Sequence, residues 1–243
     1  MKIRVKFSKI GHMRFVGHLD MLRYFQKAIR RSELPIKYST GYSPHQIMSF
    51  ASALGIGIEG IGEYMDIELE DERAAQLSSE EAIRRLNESM CEGMEILSFK
   101  KLPQNSRNAM ALVASAQYRI YFLEKEQDEE KRGEKDYPSR EFLQSCIERL
   151  MKQEEIIVEK KSKEKIIYQD IKPLIYRMEA EEWEGKTSIL LHVSQGSNNN
   201  VKPKLLLEAL QSYADLPKYR SGIRRTELYT EEGKSLEEYG EDF

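Results

Sequence analysis

Two short stretches of this chain gather groups capable of acid–base or anion chemistry. Arg14-Phe15-Val16-Gly17-His18-Leu19-Asp20 sets a cation, an imidazole and a carboxylate around the expected start of a helix. Tyr38-Ser39-Thr40-Gly41-Tyr42-Ser43-Pro44-His45 supplies a second imidazole, two phenols and three hydroxyls, interrupted by the Gly and Pro that shape an exposed loop. A site built from His18, Asp20, His45 and Arg14 would hold a general base and a guanidinium able to stabilise a phosphorane-like charge, the equipment of metal-independent RNA cleavage. Each group also has a plainer role. Asp20 in a first helical turn suits the helix dipole, and His18 can cap the helix start.

Other chemistries are poorly supplied. His12, His18, His45 and His192 are scattered, and no H-x-x-x-H or C-x-x-C spacing occurs, so no metal site is expected. The clustered three-cysteine motif of an iron–sulfur centre is absent, and no cofactor is expected. Gly55, Gly57 and Gly60 match the dinucleotide pattern letter for letter, but they lead into an alternating strand instead of opening a helix, which a pyrophosphate site requires. Cys91 and Cys146 stand far apart and read as core fillers in a reduced, cytoplasmic compartment.

The elements that must position these residues follow from periodicity. Ile3, Val5 and Phe7 alternate with Lys2, Arg4 and Lys6, the pattern of a half-buried strand. From His18 to Ser32 the period becomes helical, with Leu19, Leu22, Phe25 and Ile29 on one face and Arg23, Lys27 and Arg31 on another. Leu34-Pro35 ends this helix. Extended stretches are expected at 36–52 and 63–69. A helix capped by Ser78 and Glu81 follows, with Ile83, Leu86 and Met90 inside, and then a strand over 94–100. The order is β-α-β-β-α-β. After a linker at 102–113 it recurs less regularly, with a strand at 116–123, a helix capped by Ser139, extended segments at 156–161, 170–181 and 188–193, a helix opening at Pro203 and a last strand at 223–229. The expected fold is therefore α+β, two tandem ferredoxin-like domains with antiparallel sheets, over 1–101 and 114–243. Residues 124–136, dense in both signs of charge, read as a surface loop.

Charge is unevenly placed. The first fifty residues carry ten lysines and arginines against two acids, in a chain whose net charge is −3. Such asymmetry points to a phosphate-rich or acidic partner for the N-terminal module. Arg14, Arg23, Lys27, Arg30 and Arg31 are the candidate phosphate contacts, and Tyr38 and Tyr42 the candidate stacking groups, for an RNA. No apolar run approaches the roughly 20 residues that span a bilayer, and no secretory signal is visible, so no membrane partner is expected.

Arg14-Phe15 with His18-Leu19-Asp20, Ala28-Ile29-Arg30-Arg31, Leu34-Pro35, Tyr38-Ser39, Gly41-Tyr42, Pro44-His45, Ser49-Phe50-Ala51 and Glu63-Tyr64-Met65-Asp66-Ile67-Glu68-Leu69 together resemble the radical-SAM-linked protein family of bacteria, formerly a domain of unknown function. The resemblance continues more weakly through Ala116-Gln117-Tyr118-Arg119, Asp170-Ile171-Lys172-Pro173 and Arg225-Thr226-Glu227-Leu228. What it implies is association: members are similar to separate or fused companions of a radical S-adenosylmethionine enzyme, encoded near a ribonuclease of the E/G type and ribosomal-protein genes. Gly17, Tyr42-Ser43 and Gln46 depart from the family pattern, while the charged and imidazole residues keep to it. The first expectation is a non-catalytic accessory protein that binds ribosomal or transfer RNA for the radical enzyme. The alternatives are an RNA-processing enzyme using His18 and His45, and a pure protein–protein adaptor.

Overall fold

Strand and helix follow the sequence periods closely. The computed structural model describes residues 1–123, 137–161, 166–196 and 199–243. The charged stretch 124–136 lies outside the described residues. The chain packs as two units, Met1–Ser115 with Arg225–Phe243, and Ala116–Arg224.

The first unit contains β1 (Lys2–Lys9), α1 (His18–Arg31), β2 (Met48–Phe50), β3 (Glu59–Glu68), α2 (Asp71–Ala74), α3 (Ser79–Glu88), β4 (Met94–Lys101) and α4 (Ala109–Leu112). With α2 and α4 set aside, this is the expected β-α-β-β-α-β order. β1 pairs antiparallel with β3 and β4, and β2 pairs antiparallel with β3. The alternation of β1 sends Ile3, Val5 and Phe7 into a core with Phe25, Ile29, Leu86 and Phe99. On α1 the buried face is Met21, Phe25, Ala28 and Ile29, whereas Leu19 is exposed. At 100° per residue these four fall within one arc, and Leu19 falls on the opposite side. The Ser78 side chain caps α3 by accepting from Glu81 N at 3.2 Å.

The stretch 36–52 is strand only over β2. Its first half forms a small hairpin, with Ile47 N donating to Lys37 O at 2.9 Å and Ser39 N to His45 O at 2.8 Å. Gly41, at φ 116°, and Pro44 confine the extended pairing to its base. The expected linker at 102–113 is also built in. Leu102 and Ala109 are buried, Leu102 N donates to Lys2 O at 3.0 Å, and Ala109 N donates to Asp66 Oδ2 at 2.7 Å.

The second unit holds most of β5 (Ser115–Phe122), then α5 (Arg140–Met151), β6 (Ile157–Lys161), β7 (Ile166–Asp170), β8 (Ile175–Trp183), β9 (Lys186–Ser194), α6 (Pro203–Ala214) and the first residues of β10 (Ser221–Tyr229). Its strands run β5-β9-β8, and β6 and β7 form a separate antiparallel hairpin. Ser139 caps α5 through Phe142 N at 3.2 Å, and Leu143, Cys146, Ile147 and Leu150 face inward. The molecule is thus mixed α+β with antiparallel pairing. The β6–β7 hairpin and the return of Arg225–Phe243 to the first unit depart from a simple tandem of two domains split near residue 110.

Candidate functional site

A run of edge-to-face aromatic rings leads out of the first unit's core to His18. Phe7 and Phe25 lie 4.8 Å apart, Phe50 sits 5.6 Å from Phe25, and the His18 ring lies 5.4 Å from Phe50. Such contacts contribute about 0.5–1.5 kcal/mol each beyond their burial. Gly17 precedes α1 in extended conformation, and Met21 N donates to its carbonyl at 2.9 Å, which fixes where the helix begins. The glycine segment after β2 closes over this point: Gly57 N donates to Arg14 O at 2.9 Å. Gly57 has φ 84°, so the dinucleotide-like spacing serves a turn into β3.

These parts enclose a cleft of about 310 Å³, its mouth included. Phe7, Met21, Phe50 and Leu54 make apolar walls, and Lys9, His18, Ser52 and Glu63 supply the polar groups. Glu63 is spoken for. Arg225 Nε donates to its Oε1 at 2.7 Å and Arg225 Nη2 to its Oε2, with both residues buried. Arg225 Nη2 also donates to Ser52 O at 3.0 Å, which ties the loop after β2 to the pair. Lys9 is only 3 % exposed and donates to Val16 O at 2.7 Å. Burial pushes the Lys9 ammonium below its ordinary range; nearby Glu63 opposes the shift and Arg225 adds to it.

The four residues expected to form one site have separate settings. Asp20 is exposed and pairs with Arg23 at 3.5 Å. It lies two positions from His18 on α1, a spacing that turns side chains to different faces. Arg14 pairs with buried Glu59 at 3.3 Å and lies 4.9 Å from the Phe15 ring, with its side chain 38 % exposed. His45 belongs to the hairpin tip. Its Nδ1 shares a hydrogen bond with Ser39 Oγ at 2.9 Å and approaches Ser43 O at 3.3 Å, and its N–H donates to Ser39 Oγ at 3.1 Å. No hydrogen bond or ion pair among the described residues joins His18 to Asp20, His45 or Arg14. Of the four, the cleft takes His18 alone. Lys9, Ser52 and Glu63 were the residues missed. Lys9 did carry a signal, since it keeps step with Ile3, Val5 and Phe7 on the inward phase of β1.

The basic charge of the first fifty residues splits in two. Arg4 and Lys6, expected on a solvent face, lie under the C-terminal segment. Arg4 is 1 % exposed, forks onto Asp66 at 2.8 and 3.1 Å and donates to Leu236 O at 3.1 Å. Lys6 donates to Glu227 Oε2 at 2.9 Å and Glu237 Oε2 at 2.8 Å. Burial alone would lower the Lys6 pKa, but those two hydrogen bonds reverse the shift and leave it raised. What remains outside is α1 together with Lys37: Arg23, Lys27, Arg30 and Arg31 are all exposed, although Arg31 also donates to Ser89 O at 2.7 Å at the end of α3. Tyr38 and Tyr42 are exposed on the neighbouring hairpin, Tyr42 completely. Gln46 fastens the hairpin to α1, its Nε2 donating to Gln26 O at 3.2 Å and reaching Tyr38 OH at 3.5 Å.

Among the described residues, no three His, Cys, Asp or Glu side chains converge as a metal site. Cys91 is exposed and Cys146 buried, and both are free thiols. No described helix is long and apolar enough to cross a membrane. The family model for an uncharacterized protein conserved in bacteria (DUF2344) matches residues 2–203. No curated protein matches the chain.

Proposed function

We propose that this chain, which belongs to that family of uncharacterized bacterial proteins, is a non-catalytic RNA-binding companion of a radical S-adenosylmethionine enzyme. The radical-enzyme part rests on the sequence resemblance. The RNA part is carried by one observation: Gln46 bonds the backbone of α1 at Gln26 and reaches the Tyr38 hydroxyl, and so holds an exposed aromatic hairpin beside an exposed basic helix. Arg23, Lys27 and Arg30 then track phosphates while Tyr38 and Tyr42 offer faces to unstacked bases. Arg14 is left out of this set because Glu59 holds it. A ferredoxin-like reading of the β-α-β-β-α-β order suits such a surface, as fold analogy only. The cleavage alternative needs His18 and His45 to share one phosphate, and their separate settings give it no support.

The test is a salt titration of binding to a fluorescent single-stranded RNA, with no partner enzyme present. Binding should weaken with salt, and reversing Arg23, Lys27 and Arg30 to Glu should lower affinity and flatten the salt slope, since each lost phosphate contact removes a released counterion. Arg31 is kept so that α3 keeps its Ser89 contact. Wild-type protein that ignores RNA but binds an acidic face of the radical enzyme would replace this reading with the adaptor.

A further inference from the structure

Lys9 is a buried cation whose donors are largely unused among the described residues. An ammonium offers three donors, and a buried charge costs several kcal/mol unless it is paired. Lys9 is 3 % exposed, yet it makes one hydrogen bond, to Val16 O at 2.7 Å, and no carboxylate of the described residues lies within ion-pair distance of it. The nearest acid by charge effect, Glu63, has both carboxylate oxygens taken by Arg225. Lys9 lines the cleft together with His18, Ser52 and the Arg225-paired Glu63. Everything else lining that cleft is apolar.

We infer that this cleft is a binding site for a small organic monocarboxylate, whose charge pairs with Lys9 and whose short hydrocarbon part lies against Phe7, Phe50, Met21 and Leu54. The apolar walls argue for such a ligand over inorganic phosphate, which is hydrated on every side and would lose water to phenyl rings without replacement. The assignment stands apart from the RNA reading, because Lys9 is too deeply buried to reach a phosphate backbone.

The probes are sodium propionate and sodium benzoate added to the full chain at constant ionic strength, with sodium chloride and sodium phosphate as controls, followed by two-dimensional amide NMR. Saturable shifts of the Val16–Met21 and Phe50–Leu54 amides with the carboxylates alone are expected. Lys9→Met should weaken them roughly ten- to hundred-fold, the usual effect of deleting a charged hydrogen bond. The same variant should keep the wild-type melting temperature or exceed it, since it removes an unpaired buried charge. If Lys9→Met fails to fold, Lys9→Gln, which keeps a donor for Val16 O without the charge, takes its place with the ligand series repeated, and an unchanged affinity there would overturn the site. Shifts that grow linearly and equally with chloride, phosphate and carboxylate would overturn the proposal, as would saturable binding that survives in Lys9→Met.

Discussion

Arg4 on β1 and Asp66 on β3 face each other directly across the antiparallel ladder and join through two hydrogen bonds, Nε to Oδ1 at 2.8 Å and Nη2 to Oδ2 at 3.1 Å. The guanidinium is 1 % exposed, and its other donors go to the Leu236 and Arg107 carbonyls. One residue of the first strand thereby fixes three distant segments of its unit. Asp66→Ala should destabilise the protein by about 3–5 kcal/mol, because it strands a buried charge, and Ala109 N loses its acceptor as well. Arg4→Met with Asp66→Leu should recover much of that loss. Urea denaturation of the single and double variants measures both.

Docking of the C-terminal segment should hold over a defined pH window. Glu237 keeps its carboxyl below its ordinary 4.5: burial alone would raise it, and the Lys6 hydrogen bond prevails. Its contribution is therefore whole above pH 4.5 and fades as the pH falls through the lowered value. Lys6 is raised from 10.5, so its contribution is whole below pH 10.5 and fades as the pH climbs through the raised value. Tyr64, raised by burial and by neighbouring Glu227, donates to Glu227 at 2.7 Å and adds to the alkaline loss. Hydrogen exchange of residues 227–239 should be slow between these limits and speed up beyond either.

Gly62 is required by a close approach. A Cβ built there would meet Thr226 O at 2.3 Å, backbone against backbone. Gly62→Ala should cost about 1–3 kcal/mol or more through overpacking. Ala at Gly17, where the nearest atom is Ile56 Cδ1 at 3.9 Å, should cost far less. Thermal melts of the two variants side by side give the contrast.

His18→Ala and His45→Ala should each leave the melting temperature within a few degrees of wild type, since both side chains are exposed. Their effects on complementation of a deletion strain should add, because the residues share no partner in the structure. Strong coupling between them would mean that a ligand bridges the helix start and the hairpin tip.

Tyr42→Ala should weaken RNA binding by about 1–3 kcal/mol if a base stacks there, without changing stability. Gln46→Ala should reduce both, because Gln46 is buried and anchors the hairpin. Anisotropy titrations and melts of the two variants separate contact from support.

Local signals carried most of the secondary structure. The inward phase of β1, the Ser78 and Ser139 caps and Pro203 at the start of α6 all stand where periodicity and capping chemistry place them. Signals that depend on distant chain were not readable. Lys2, Arg4 and Lys6 have the pattern of a solvent face, and only the arrival of Glu227, Leu236 and Glu237 turns Arg4 and Lys6 inward. The helix face was misassigned at Leu19 because apolar type outweighed phase there, and Met21 takes the inner position. In the candidate site, His18 was visible, although the sequence grouped it with Arg14, Asp20 and His45 and not with Lys9. Lys9 was passed over despite its inward phase, because a lysine on a strand is ordinarily counted with its charged neighbours.

The return of Arg225–Phe243 to the first unit bears on how the protein is born. Arg4 and Leu236 are 232 positions apart. At about 5–20 residues per second of synthesis, Arg4 waits on the order of ten to fifty seconds on the ribosome before that carbonyl is made. Residues 116–224 are synthesised entirely within that wait, so the unit that starts first is completed last. Until translation passes the final strand, the nascent chain holds Arg4 through Asp66 but without the Leu236 carbonyl, and displays Lys6 without the Glu227 and Glu237 carboxylates that later take its charge.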